Sequence, residues 1–310
     1  MPLYTRRRTI LAKIESVYGT DPTPTGAANA ILVRNMSITP LAAEMVSRDL
    51  VRPYLGNSEM LIASKNVAIE FEVEMAGSGT AGTAAKYGPL LRACGLSETI
   101  SAGVSVTYAP VSTAFESVSL YHNVDGVLHK ITGARGNVEF TLNARAIPVM
   151  KFTMTGIYNA PSDAALPTVD YSGFQAPQAA NTSNTTAFSL FGYAGVLESL
   201  SLNMGNDVKY RSLIGSESVL ITDRKVSGTA VFEAPTITDK DFFAIAIASA
   251  LGSMSITQGT VAGNKFKIDS SYIDISNPTY SDNDGITMLT VPFVAVPSSA
   301  GNNEISFTTL

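Results

Sequence analysis

The sequence has no tryptophan, a single cysteine and two histidines, and only 15% of its 310 residues are charged. Each scarcity removes a class of function. A lone Cys94 cannot form an intrachain disulfide, so nothing points to an oxidising compartment and synthesis in the cytoplasm is expected. Cys94 lies in an apolar stretch, which favours a structural thiol over a reactive one. His122 and His129 have no cysteine or third histidine at ligand spacing, so no metal site is expected. No GxSxG turn projects a serine, and the chain is not expected to be an enzyme or to need a cofactor. No run of roughly 18 apolar residues is present, so no membrane-spanning helix is expected. Leu11, Ala12, Lys13, Ile14 and Glu15 interrupt any signal-peptide core behind the basic start.

The glycine-rich run Gly77 to Lys86 (GSGTAGTAAK) superficially suits a phosphate, but it lacks the GxxxxGK[ST] spacing. It reads instead as a flexible loop before a helix. The net charge of −5 is unevenly spread. Residues 1–158 carry 14 Lys and Arg against 12 Asp and Glu, while residues 159–310 carry 7 against 14. A mildly acidic chain is poorly suited to gripping a phosphate backbone, which needs clustered cations. A mean hydropathy of +0.17 without a membrane span implies apolar surface hidden between subunits.

What is present is an internal repeat. At an offset of 159, Arg52 falls on Arg211, Gly56 on Gly215, Leu61 on Leu220, Ile62 on Ile221, Val67 on Val226 and Glu74 on Glu233, without a gap. Met60 meets Val219. Two short helices follow in the same order, Ala84 to Leu96 and Asp239 to Leu251, with Ala93 on Ala248 and Leu96 on Leu251. Further on, at an offset of 137, Gly126 meets Gly263, Lys130 meets Lys267 and Thr153 meets Thr290.

The fold expected is mainly β: two tandem β-sandwich or partial-barrel domains, each with one short helix, joined by a polar linker. Residues 1–30 would be an N-terminal arm and spacer, 31–158 the first domain, 159–187 the linker and 188–310 the second domain. The linker is rich in Ala, Pro, Asn, Ser and Thr, a composition too polar to hold a core of its own. Val67 to Met75 alternates with period two, and Asp125–Gly126 marks a hairpin turn. Sheets of this kind must blunt their edges or pair them with another subunit, and pairing is the expectation here.

Glu70, Glu72 and Glu74 share the polar face of one strand, and Glu233 is the counterpart kept by the second copy. Like charges in a row require water on that face. It is either an ordinary exterior or the wall of a channel past which a polyanion must slide without sticking. Arg6, Arg7 and Arg8 form a run too short for a nucleic-acid patch, and suit a salt bridge from the arm to an acidic neighbouring subunit.

Two segments carry a resemblance: RRTILAKIESVYGTDPTPTGAANAILV (Arg7 to Val33) and RPYLGNSEMLIASKNVAIEFEVEMAG (Arg52 to Gly77). They are similar to the tail tube proteins of phages with long non-contractile tails. The resemblance implies a β-sandwich with one helix whose inner sheets close around a lumen, in rings stacked into a hollow tube. Its partners would be other copies of itself, with tail terminator, tape measure and distal tail proteins, and its place would be the virion. DNA would pass through without specific binding. Most such proteins carry one domain and form hexameric rings; two domains imply three chains in a pseudo-sixfold ring. The ring-stacking loops would be Ala42 to Lys65 and Gly205 to Arg224. Their exposed interface residues would be Leu50, Val51, Tyr54 and Leu55 in the first, and Val208, Tyr210, Leu213 and Ile214 in the second. Glu70, Glu72, Glu74 and Glu233 would line the lumen. The competing reading is a virion decoration or host-adhesion protein, against which the lack of tryptophan counts where sugars would have to stack.

Overall fold

The structure, a computed structural model, describes residues 2–310 and is mainly β. Period-two alternation places its largest sheet. In the strand Met60–Glu74, Val67, Ile69, Phe71 and Val73 are buried while Glu70, Glu72 and Glu74 face away from the core. The strand Val149–Tyr158 beside it buries Met150, Phe152 and Met154. The stretch Met60–Asn66 lengthens the expected strand because it pairs with Ala42–Ser47 in a hairpin that leaves the body of the molecule.

Eight strands follow one another in this sheet, every neighbour antiparallel. The order is Arg34–Ser47, Met60–Glu74, Val149–Tyr158, Val127–Asn143, Leu197–Asn203, Ser227–Glu233, Ile286–Ala295 and Thr279–Asn283. The first four lie in the N-terminal half of the chain and the last four in the C-terminal half. They join where Glu139–Asn143 pairs with Ser199–Asn203. The two outermost strands, Arg34–Ser47 and Thr279–Asn283, pair on one side only among the described residues.

The strand Val127–Asn143 belongs to both layers of the sandwich. A bulge between Thr132 and Arg135 bends it, so its first part pairs with Val118–Val124 and its last part enters the large sheet. The Asp125–Gly126 turn before it has φ of 34° and 111°, as a tight hairpin requires. On the other layer, Phe266–Ile275 pairs with Gly252–Gln258 on one side and with the C-terminal strand Ser306–Thr309 on the other. That C-terminal strand also pairs with Ser105–Pro110 of the first half. Its Phe307 is buried between Phe140, Tyr108 and Phe266, with ring centroids 5.3, 6.1 and 5.9 Å away. The two halves therefore share one core.

Two expected segments take different forms. Arg8–Ile14, within the segment read as an arm, is a strand paired with Val118–Val124, and Ile10, Leu11 and Ala12 are buried. Just beyond it the buried Glu15 carboxylate accepts four hydrogen bonds: from Ser117 and Ser119 hydroxyls at 2.6 Å, and from the Gly133 and Gly19 N–H groups at 2.7 Å. These donors are what allow a carboxylate to be buried. The polar stretch 159–187 is mostly irregular yet laid along both halves. The Ala180 backbone bonds to Arg145 and Ala146, and Gln258 donates to the Gln178 carbonyl.

The helices are shorter than their sequence patterns, Gly88–Ala93 and Phe242–Ile247. Left-handed residues stop both, Gly95 after the first and Ser249 after the second. The Asp241 side chain caps the second by accepting the Ala244 N–H at 2.8 Å.

Candidate assembly surfaces

The solvent face of the eight-stranded sheet is mostly polar across the join between the halves, and further into the second half it turns apolar at Val294, Pro292 and the buried Met288. One row of directly opposed residues reads Glu72, Lys151, Glu139, Asn203 and Ser227. The next reads Glu74, Val149, Thr141, Ser201 and Thr229. The three glutamates are not a bare negative strip. Arg34 Nε lies 2.9 Å from Glu72, and Lys151 Nζ lies 3.3 Å from Glu70. Glu74 is 4.0 Å from Arg34, and Asn35 donates to Glu72 at 2.9 Å. The partners stand on flanking strands, so the register that brings them together is invisible in the linear sequence. Glu233 is exposed in the second half.

Leu50, Val51, Tyr54 and Leu55 sit on the irregular tip between the strands Arg34–Ser47 and Met60–Glu74, all four exposed, with Val51 and Leu55 fully so. The apolar surface continues down the hairpin through Met45, Val46, Met60, Leu61 and Ile62. That much exposed apolar area on one projection marks an interaction surface.

The second hairpin, Asn206–Leu213 with Ser216–Arg224, behaves differently. Leu213 and Ile214 at its turn are exposed, but Val208 and Tyr210 are half-buried and Val219 and Ile221 are buried against the first half. Arg135 donates to the Val219 carbonyl at 2.7 Å, and the Val219 N–H donates to the Tyr18 hydroxyl at 2.6 Å. The Asn206 amide reaches the Cys94 and Gly136 carbonyls at 2.7 and 3.0 Å. Burial holds the Arg135 guanidinium below its usual pKa and pushes the Tyr18 phenol up.

Of the basic run, Arg7 is paired within the chain, its Nη1 2.8 Å from Asp125, while Arg6 and Arg8 are exposed. The glycine-rich loop has a packing role. Gly79 N–H donates to the Gly263 carbonyl at 2.9 Å, and a Cβ on Gly77 would fall 1.9 Å from that same oxygen. Its glycines admit the backbone of the second half. Cys94 is buried with its thiol 3.8 Å from Met154 Sδ, and burial pushes its pKa up. His122 and His129 face each other across the Asp125–Gly126 hairpin with ring centroids 6.0 Å apart. No group of three metal-binding side chains occurs among the described residues. None of the described helices is long and apolar enough to cross a membrane.

No match is found among curated proteins. A family model does match, that of the phage tail tube protein, over residues 5–295. A mainly β sandwich with a long polar sheet face, matched over nearly its whole length, belongs to the phage tail tube protein family.

Proposed function

We propose that three copies of this chain close into a ring, and that stacked rings form the hollow tail tube through which DNA leaves the virion. The observation that carries the reading is the large sheet: eight antiparallel strands in one run, polar on the solvent face across the join between the halves, with an unpaired edge at each end. An unpaired edge strand is a template for another strand, and closure into a barrel removes it. The polar face, with its paired charges, would form the lumen wall. Carboxylates, serines, threonines and asparagines, with Arg34 and Lys151 held in ion pairs, present no field that traps phosphate.

The trimer follows from reading the chain as a duplicated domain, residues 31–158 and 188–310 joined by 159–187. The pairing order supports that reading. Ser37 faces Glu70, which faces Thr153; at the repeat offset, Ser201 faces Thr229, which faces Pro292. The sequence match of Thr153 with Thr290 is thus two residues displaced, on the same face.

The exposed apolar tip Leu50, Val51, Tyr54 and Leu55 suits contact with the next ring, and Leu213 and Ile214 offer a smaller apolar point. Arg6 and Arg8 remain free to meet acidic surface on a neighbour. The role is structural, without catalysis or cofactor. The tail terminator, tape measure and distal tail proteins are the expected further partners, after synthesis in the host cytoplasm.

Negative-stain electron microscopy of the concentrated protein tests this. Hollow rings or tubes with threefold or pseudo-sixfold averages are expected. Discrete particles that never stack, even with tail initiator present, would favour a decoration or adhesion protein.

A further inference from the structure

We infer that the contact between neighbouring chains repeats, residue for residue, a contact that each chain already makes within itself. The edge strand Arg34–Ser47 of one chain pairs antiparallel with Thr279–Asn283 of a second copy, Ser37 opposite Ser281. The far half of the long hairpin then covers the exposed end of the second copy's helix at Ile247–Leu251. This rests on the tube reading and on the duplication, and it adds the register and the docking site.

The internal contact has two parts. In the sheet, one row reads Glu74, Val149, Thr141 and then Ser201 across the join between the halves. The same row in the second half reads Glu233, Met288, Ser281 and then stops at a free edge. Glu74 and Glu233 are repeat equivalents, as are Ser37 and Ser201, since Ser37 faces Glu70 and Ser201 faces its counterpart Thr229. The missing fourth member of the row is therefore Ser37 of another chain. Tyr280 then stands opposite Ile38, as Phe140 stands opposite Leu202 at the internal join.

The second part is the hairpin. Inside the chain, Val219 and Ile221 are buried, and Ile221 Cδ1 lies 3.4 Å from where a Cβ on Gly95 would sit. The helix end beneath them, Ala93, Cys94, Gly95 and Leu96, is buried too. The counterparts of both surfaces are bare. Met60 and Ile62, equivalent to Val219 and Ile221, are 55% and 53% exposed. Leu251, equivalent to Leu96, is 53% exposed, and Ile247 in the same helix is 86% exposed. Tyr280, equivalent to Phe140, is 57% exposed. One chain thus offers an uncovered hairpin and an uncovered helix end that match the two sides of its own covered pair. A second copy is the occupant that supplies each to the other, and burial of apolar surface drives the contact.

Paired cysteines read the register directly. Residues directly opposite across antiparallel strands have Cβ atoms about 4.5–5.5 Å apart, against about 7–8 Å on the diagonal. In assembled rings or tubes, Ser37→Cys with Ser281→Cys should oxidise to chains linked in twos and threes on a non-reducing gel. Thr141→Cys with Ser201→Cys should oxidise within single chains, and Ser37→Cys with Asn283→Cys should stay largely unlinked. Tubes that form without the Ser37/Ser281 link, or that link Ser37 to Asn283 instead, overturn the register while leaving the tube reading intact. Failure to form rings or tubes at all removes both. Amide exchange on the unmodified chain tests the same contact without any substitution: backbone N–H groups of 279–283 should gain protection on assembly, and unchanged exchange there overturns the inference.

Discussion

The Tyr18 hydroxyl accepts the backbone N–H of Val219 at 2.6 Å, tying the start of the chain to a hairpin 201 positions away. The same hydroxyl lies 3.3 Å from the Gly133 carbonyl, and the Arg135 guanidinium stands 4.9 Å from the ring centre. Arg135 in turn donates to the Val219 carbonyl, so both backbone groups of a buried residue are satisfied by side chains of the first half.

Tyr18→Phe keeps the ring and removes the hydroxyl that accepts from Val219 and donates to the Gly133 carbonyl. The buried Val219 N–H is then unpaired, which costs about 1–3 kcal/mol. The hairpin should loosen before the rest of the molecule. Amide exchange should speed up most across 216–224 and by less in Val149–Tyr158, with a lower urea midpoint. Equal exchange in both proteins, the unmodified chain and the variant, would mean that packing of Val219 and Ile221 alone holds the hairpin.

His122 sets a pH dependence. Its ring is buried, neither nitrogen has a hydrogen-bond partner, and burial, then the nearby His129, then Arg8 push its pKa down to about 4. A base with a depressed pKa favours its neutral form in the fold. Above an ordinary histidine pKa near 6.5, neither folded nor unfolded chain is protonated there. Between about 6.5 and about 4 the unfolded chain takes up a proton that the folded one refuses, so stability falls as pH falls. At about 1.4 kcal/mol per pKa unit the loss amounts to a few kcal/mol. Denaturation midpoints measured from pH 7 to pH 4.5 should drop, and His122→Phe should flatten the slope. An unchanged slope in that variant would assign the effect to other groups.

The features legible in the sequence share a physical cause. Val67 to Met75 alternates because one face meets the core and the other meets water, and Asp125–Gly126 is a turn whose chemistry is local. Arg8–Ile14 does not read as a strand because Ile10, Leu11 and Ala12 are buried consecutively, which erases the alternation that would mark one. The ion pairs of Glu70 and Glu72 are hidden from the linear sequence because Lys151 and Arg34 come beside them only through strand register. The two hairpins read alike in sequence, Met60 with Val219 and Ile62 with Ile221. They differ because only the second finds its receiving surface within the same chain.

The lumen assignment makes a prediction about charge. Glu70→Lys with Glu72→Lys replaces two salt bridges by two new ammonium groups beside Arg34 and Lys151, all on the solvent face. The core face of the strand is untouched, so tubes should still assemble. A cationic cluster on the wall would hold passing phosphates and release them as salt rises. DNA ejection from virions carrying the variant should therefore slow at low ionic strength and recover at high. Exchanging the partners, Glu70→Lys with Lys151→Glu, keeps one charge of each sign at that place and should leave the rate near normal. A double lysine variant that ejects DNA at the ordinary rate at low salt would put this face on the outside of the tube, because a polyanion threading past four clustered cations cannot ignore them.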